Sequence, residues 1–121
     1  MREEELYYFA HPYTAKDKRA ETANFNLCCI RSAKLLKLGY RIYAPICHTH
    51  PIHMAWPDFL ENDERDLWIS LDNLIINKTL FEGIILAPRW ELSSGCQGEK
   101  QLFETQEKQI LLYKDIVPMG V

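Results

Sequence analysis

A small α/β domain built on a doubly wound parallel sheet is predicted by three observations. Short apolar runs alternate with longer amphipathic ones along the whole chain. The short runs, above all Leu6-Tyr7-Tyr8-Phe9-Ala10 and Gly83-Ile84-Ile85-Leu86-Ala87, are apolar at nearly every position. Strands of that kind are buried on both faces of a parallel sheet. The segments between them are long enough for helical crossovers, which parallel pairing requires and which are right-handed. Together these imply a three-layer sandwich of four to five strands.

The elements follow in order. The first strand, Leu6 to Ala10, stops at His11-Pro12-Tyr13-Thr14. Asp17 to Leu38 reads as a long helix, with Ala23, Leu27, Ile30, Ala33, Leu35 and Leu36 at near-helical spacing and Gly39 as the residue that ends it. Tyr40 to Ala44 is a second strand, closed by Pro45, and Ile46 to Pro57 reads as a loop rich in His and Pro. Asp58 to about Lys78 carries a helical pattern, Gly83 to Ala87 the third strand, and Gly98 to about Gln106 the next helix. Gln109 to Tyr113 is a fourth strand, and the tail from Lys114 is expected to add a short edge strand. This is a flavodoxin-like or Rossmann-like plan, in which ligands bind at the carboxyl ends of the strands. The loops at those ends are residues 11–17, 46–57 and 88–98, and all three hold unusual polar or aromatic residues.

Composition narrows the function classes. The 121 residues suit one domain with a single sizeable core. With 47% hydrophobic and 26% charged residues the composition is that of an ordinary globular protein. A net charge of −3, with Lys and Arg scattered, argues against a nucleic-acid polymer as partner. No apolar run is long enough for a membrane span, and no signal sequence opens the chain, so a cytoplasmic location is expected. Cys28, Cys29, Cys47 and Cys96 form neither a disulfide framework nor a zinc ribbon, and are read as small hydrophobes.

The segment Trp90-Glu91-Leu92-Ser93-Ser94-Gly95-Cys96-Gln97-Gly98-Glu99 is the most informative motif. A Ser/Gly turn between a buried strand and a helix offers backbone N–H groups and the helix dipole to an anion. Glu99 is expected in the first turn of that helix, beside the same crevice. A phosphate cradle next to a carboxylate points to a phosphorylated or sugar-bearing small molecule. An acidic residue that merely favours the helix dipole is the alternative.

From Leu6 to Tyr113 the sequence resembles the nucleoside 2-deoxyribosyltransferase superfamily, including its 2-deoxynucleoside 5-phosphate N-hydrolase branch and small bacterial and phage relatives. The resemblance rests on LYYFAHPYT, on GYRIYAPICHTHP, on Trp68 with Asp72, and above all on APRWELSSGCQGE. In that string Gly95 and Glu99 reproduce a Gly-x-x-x-Glu spacing that presents a catalytic carboxylate. The resemblance implies cleavage of an N-glycosidic bond, with Glu99 attacking C1′ of a (deoxy)ribosyl group. It implies that Asp72 contacts sugar hydroxyls and serves proton transfer, and that Tyr8 orients the nucleophile. Ser93 would contact a 5′-phosphate, with Ser94 and the amides about Gly95 completing the anion site. No cofactor is expected. Two departures stand out: His11-Pro12-Tyr13 replaces a Ser-x-Arg turn, and the segment after Asp72 is longer than usual. Arg19 is a candidate cation for the phosphate.

His48, His50 and His53 have a spacing that could hold a metal, but no Cys or carboxylate follows at standard distance, and Asp58 is the nearest acid. A loop lining a base pocket is preferred, with His11, His48 and His50 contacting substrate and Trp56 and Trp90 as flat walls. The partner is thus a nucleoside or nucleotide. A non-catalytic nucleotide-binding or sensing module of the same fold is the competing class. The short chain and the apolar excess of the central helix, with Phe59, Trp68 and Leu71, point to a homodimer or tetramer.

Overall fold

The computed structural model describes residues 4–55 and 64–118. Its four strands are β1 (Leu6–Ala10), β2 (Arg41–Tyr43), β3 (Gly83–Leu86) and β4 (Gln109–Leu112). They form one sheet in the order β2-β1-β3-β4, with every pairing parallel. Helices α1 (Lys18–Lys37), α2 (Pro45–Met54), α3 (Glu64–Lys78), α4 (Ser94–Thr105) and α5 (Tyr113–Ile116) connect and flank them. The chain is therefore a small doubly wound α/β domain.

Burial alternates with the pleat, and both faces are covered. Tyr7, Phe9, Ile85 and Ala87 join Cys28 and Leu35 of α1 in one core. Tyr8, Ala10, Ile84 and Leu86 join Ile76 of α3 with Cys96 and Phe103 of α4 in the other. This is why the two central strands, β1 and β3, lack polar positions: each residue meets a helix layer on its own side. Between β3 and β4 the backbones approach so closely that a Cβ on Gly83 would lie 2.4 Å from the Gln109 carbonyl oxygen. Only glycine fits there.

Local chemistry sets the helix ends. Asp17 caps α1 by accepting the Ala20 N–H at 2.8 Å, and Gly39 closes it at φ 100°. The segment expected as a His- and Pro-rich loop is instead the helix α2. Pro45 stands at its start, where its missing N–H costs nothing, and the ten residues run on through Pro51. The tail forms the short helix α5 rather than an edge strand. Asp58, Phe59 and Trp56 lie outside the described residues.

The turn after β3 also differs from expectation. Arg89 adopts φ 70° and leads into a 3₁₀ turn at Trp90–Leu92. Ser93 then caps α4, its hydroxyl accepting the Cys96 N–H at 3.2 Å. Because the cap is Ser93, the helix begins four residues earlier than the Gly98 start suggested by the pattern. Glu99 consequently sits in the second turn, not the first. The chain adds β2 on one side of β1 and then β3 and β4 on the other, so the strand order reverses between β1 and β3 and the crevice of a doubly wound sheet opens above their carboxyl ends.

Candidate active site

On the α3 and α4 side of this crevice two carboxyls meet a buried phenol. Tyr8 is fully buried, its ring packed against Phe81 and Phe103 with centroids 5.5 and 5.7 Å away. Its hydroxyl donates to Glu99 Oε2 at 2.5 Å, a length typical of a charge-assisted bond. Burial first, and Glu99 second, push the phenol well above its usual range, so it remains a donor. Burial raises the Glu99 carboxyl to about 8; the Tyr8 hydrogen bond opposes that rise and the charge of Asp72 adds to it. Asp72, on α3, is raised by burial to about 6. Its Oδ1 is buried without a hydrogen-bond partner among the described residues.

The α1 and α2 side presents imidazoles and a guanidinium. His11 Nδ1 lies 2.9 Å from the Pro12 carbonyl, which can only accept, so Nδ1 carries the hydrogen. Its Nε2 then accepts from Arg31 Nη1 at 3.0 Å. Burial lowers His11 to about 4, which keeps the ring neutral and fit for that role. Arg31 is braced a second time by the Tyr113 ring, 5.6 Å from its guanidinium carbon. Farther along, the Tyr13 hydroxyl bridges His50 Nδ1 at 2.8 Å and His53 Nδ1 at 2.7 Å. A hydroxyl has one proton, so Tyr13 donates to at most one of these two rings.

Between the two walls lies a cleft of about 1080 Å³, large enough for a nucleotide-sized ligand. Glu99, Asp72, Ser93, Ser94, Gly95 and His11 line it. Tyr8 stands behind Glu99 rather than at the surface of the cleft. Trp90 is half-buried against the second core, with Lys100 Nζ 5.5 Å from its ring centre, and does not line the cleft. His48 is exposed, and His50 is stacked on Phe25 at 4.3 Å; neither lines the cleft, whereas His53 does. The three imidazoles therefore do not converge on one point. Arg19 is also absent from the lining, and Arg31 and Arg89 are present instead.

Helical spacing contains the signal for Arg31. Glu21, Asn24, Leu27 and Arg31 fall three or four residues apart and form one stripe of α1 along the cleft. A largely polar stripe on a face turned inward was readable, but it required knowing which face met the crevice.

The family model described as a domain of unknown function (DUF1937) matches residues 5–115. The chain belongs to the DUF1937 family. The match spans every residue of the cleft, from His11 to Leu102. No curated protein matches the chain. Among the described residues of this DUF1937 domain, no helix is long and apolar enough to cross a membrane.

Proposed function

We propose that this DUF1937 domain cleaves or transfers the N-glycosidic bond of a (deoxy)nucleoside 5′-monophosphate or nucleoside. The observation that carries the reading is the Tyr8–Glu99 pair, a carboxyl held by a buried donor on the wall of a nucleotide-sized cleft. An ionised Glu99 attacks C1′ while the bond to the base breaks, and the base leaves with a proton from Asp72. Water or a second base then attacks C1′ of the glycosyl-enzyme and frees Glu99. Between pH 6 and 8 the two carboxyls together hold one proton, mainly on Glu99, and the reactive form is the minority in which that proton sits on Asp72 and leaves Glu99 ionised.

Spacing along α4 supports a phosphate. Ser94 and Gly95 precede Glu99 by five and four residues, or roughly 6 to 7.5 Å along the helix axis. That span suits the separation of an anomeric carbon from its 5′-phosphate. The positive end of α4, with Arg89 and Arg31 on the same cleft, favours the anion. The test is incubation with purine and pyrimidine nucleosides and their monophosphates, free base being followed by chromatography. Release that vanishes in Glu99→Ala supports the proposal; a competing base distinguishes transfer from hydrolysis.

A second reading, a nucleotide-binding module without turnover, draws on the same raised carboxyl. A Glu99 that keeps its proton at neutral pH is a weak nucleophile. Tight monophosphate binding with no base release across pH 5 to 9 would establish it. Assembly as a homodimer or tetramer is also proposed, on the exposed Leu67, Ile69 and Leu74 of α3. A monomer in sedimentation would end that idea.

A further inference from the structure

Three thiols meet where α1 packs on α2, away from the carboxyl wall. Cys28 and Cys29 extend from adjacent positions of α1, and Cys47 is the third residue of α2. Cys47 Sγ lies 3.5 Å from Cys29 Sγ and 3.9 Å from Cys28 Sγ, with the Ser32 hydroxyl also 3.9 Å away. All are free thiols. Cys28 is fully buried, whereas Cys29 and Cys47 are half-buried and open to a small reagent.

We propose that Cys47 is an oxidation-sensitive thiol that forms a reversible disulfide with Cys29, tying the start of α2 to the middle of α1. Closing the Cys29–Cys47 gap to a covalent S–S length of about 2.05 Å requires a movement of about 1.5 Å, within reach of side-chain rotation. Position near the amino end of α2 favours a thiolate. Hydrogen bonds from Cys28 first, then Cys29 and Ser32, outweigh burial and lower Cys47 to about 6. Cys29 moves the other way, up to about 11, through burial and the same contact. Nucleophile and resolving thiol are thereby distinguished.

The chemistry needs only a peroxide. The Cys47 thiolate attacks one peroxide oxygen; an S–O bond forms, the O–O bond breaks, and hydroxide departs to become water. Cys47 is oxidised by two electrons to the sulfenic acid as the peroxide is reduced. Cys29 sulfur then attacks Cys47 sulfur; the S–S bond forms, the S–O bond breaks, and the hydroxyl leaves as water with the Cys29 proton. A dithiol reductant reverses the step. Because Leu27 and Arg31 of α1 and Pro45, Ile46 and Thr49 of α2 line the cleft, the cross-link would fix one of its walls.

The fourth cysteine is an internal control. Cys96 is buried in the opposite core and pushed up to about 12, mainly by burial. The full-length protein is treated with hydrogen peroxide, quenched with an alkylating agent and mapped by mass spectrometry. A Cys29–Cys47 linked peptide that disappears on dithiothreitol treatment is expected. Native iodoacetamide labelling at neutral pH should modify Cys47 at least about ten-fold faster than Cys96. In Cys29→Ser, a dimedone probe should capture the sulfenic acid on Cys47, and Cys47→Ser should yield neither product. If either variant fails to fold, wild-type mapping and labelling decide alone. Equal labelling of Cys47 and Cys96, no linkage, or a bridge through Cys28 overturns the proposal.

Discussion

The two walls of the cleft suppress charge by the same physical cause, acting on groups of opposite sign. On the α3 and α4 wall, burial raises the carboxyls of Glu99 and Asp72. On the α1 wall, burial lowers the imidazole of His11. Desolvation always favours the neutral form, so it pushes acids up and bases down. What separates the walls is the partner each group has. Glu99 receives a hydrogen bond from a phenol, which favours its charged form; His11 receives one from a guanidinium, which favours its neutral form. One wall is poised to change protonation near neutral pH, and the other is locked. In the proposed reaction, chemistry falls to the first and recognition to the second.

The largest effect should come from the poised wall. Glu99→Ala is expected to abolish base release, lowering kcat by at least about 10³-fold, as loss of a nucleophile does. Retained turnover in that variant would remove Glu99 from the mechanism. Tyr8→Phe should lower kcat by about 10²-fold. It should also raise the Glu99 pKa, because the Tyr8 hydrogen bond is what holds that carboxyl down. In the wild type, kcat/KM should trace a bell with limbs near 6 and 8. Below the lower limb both carboxyls are protonated and no nucleophile remains. Above the upper one both are ionised and no acid remains. A profile flat from pH 5 to 9 would disconnect the pair from catalysis.

The recognition wall should respond in binding instead. Arg31→Gln is expected to raise KM for a monophosphate by roughly ten-fold or more, the loss of a charge-assisted contact. The free nucleoside should be nearly unaffected. His11→Ala, which frees the guanidinium from its brace, should move KM in the same direction by less. A fall in kcat with KM unchanged would transfer Arg31 to the chemical step.

Sequence disclosed these walls unequally. The motif about Glu99 was legible because a strand, a turn and a helix there occupy one continuous stretch, and their pattern is local. Even so, the early Ser93 cap displaced Glu99 by a turn, since a hydroxyl bonded to Cys96 N–H outweighs the poor helix propensity of Gly95 and Gly98. The strands, and a parallel sheet covered on both faces, followed from apolar runs alone. The opposite wall was far less visible. Arg31 is held by His11, twenty residues away in sequence, and nothing local marks that pairing. Pro51 disguised α2 as a loop, and with it the approach of Cys47 to Cys29, because tertiary packing there overrides a residue that usually interrupts helices.

The smallest effect, and the most direct probe of the difference between the walls, is the pH dependence of stability. Glu99 binds its proton more tightly in the folded protein, about 8 against an ordinary 4.5. Its contribution is therefore fully present below pH 4.5 and lost as pH rises through 8. His11 has the reverse sign, about 4 against 6.5. Its contribution is present above 6.5 and lost as pH falls through 4. Replacing each with a neutral side chain should expose opposite slopes. Glu99→Gln should gain on wild type by at least about 1 kcal/mol between pH 5 and pH 8, a relative rise in Tm of a few degrees. His11→Asn should gain on wild type as pH is lowered from 7 to 4. If both variants shifted Tm by the same amount at every pH, burial would not be what sets the charge of either wall, and the division between a reactive face and a recognition face would lose its physical basis.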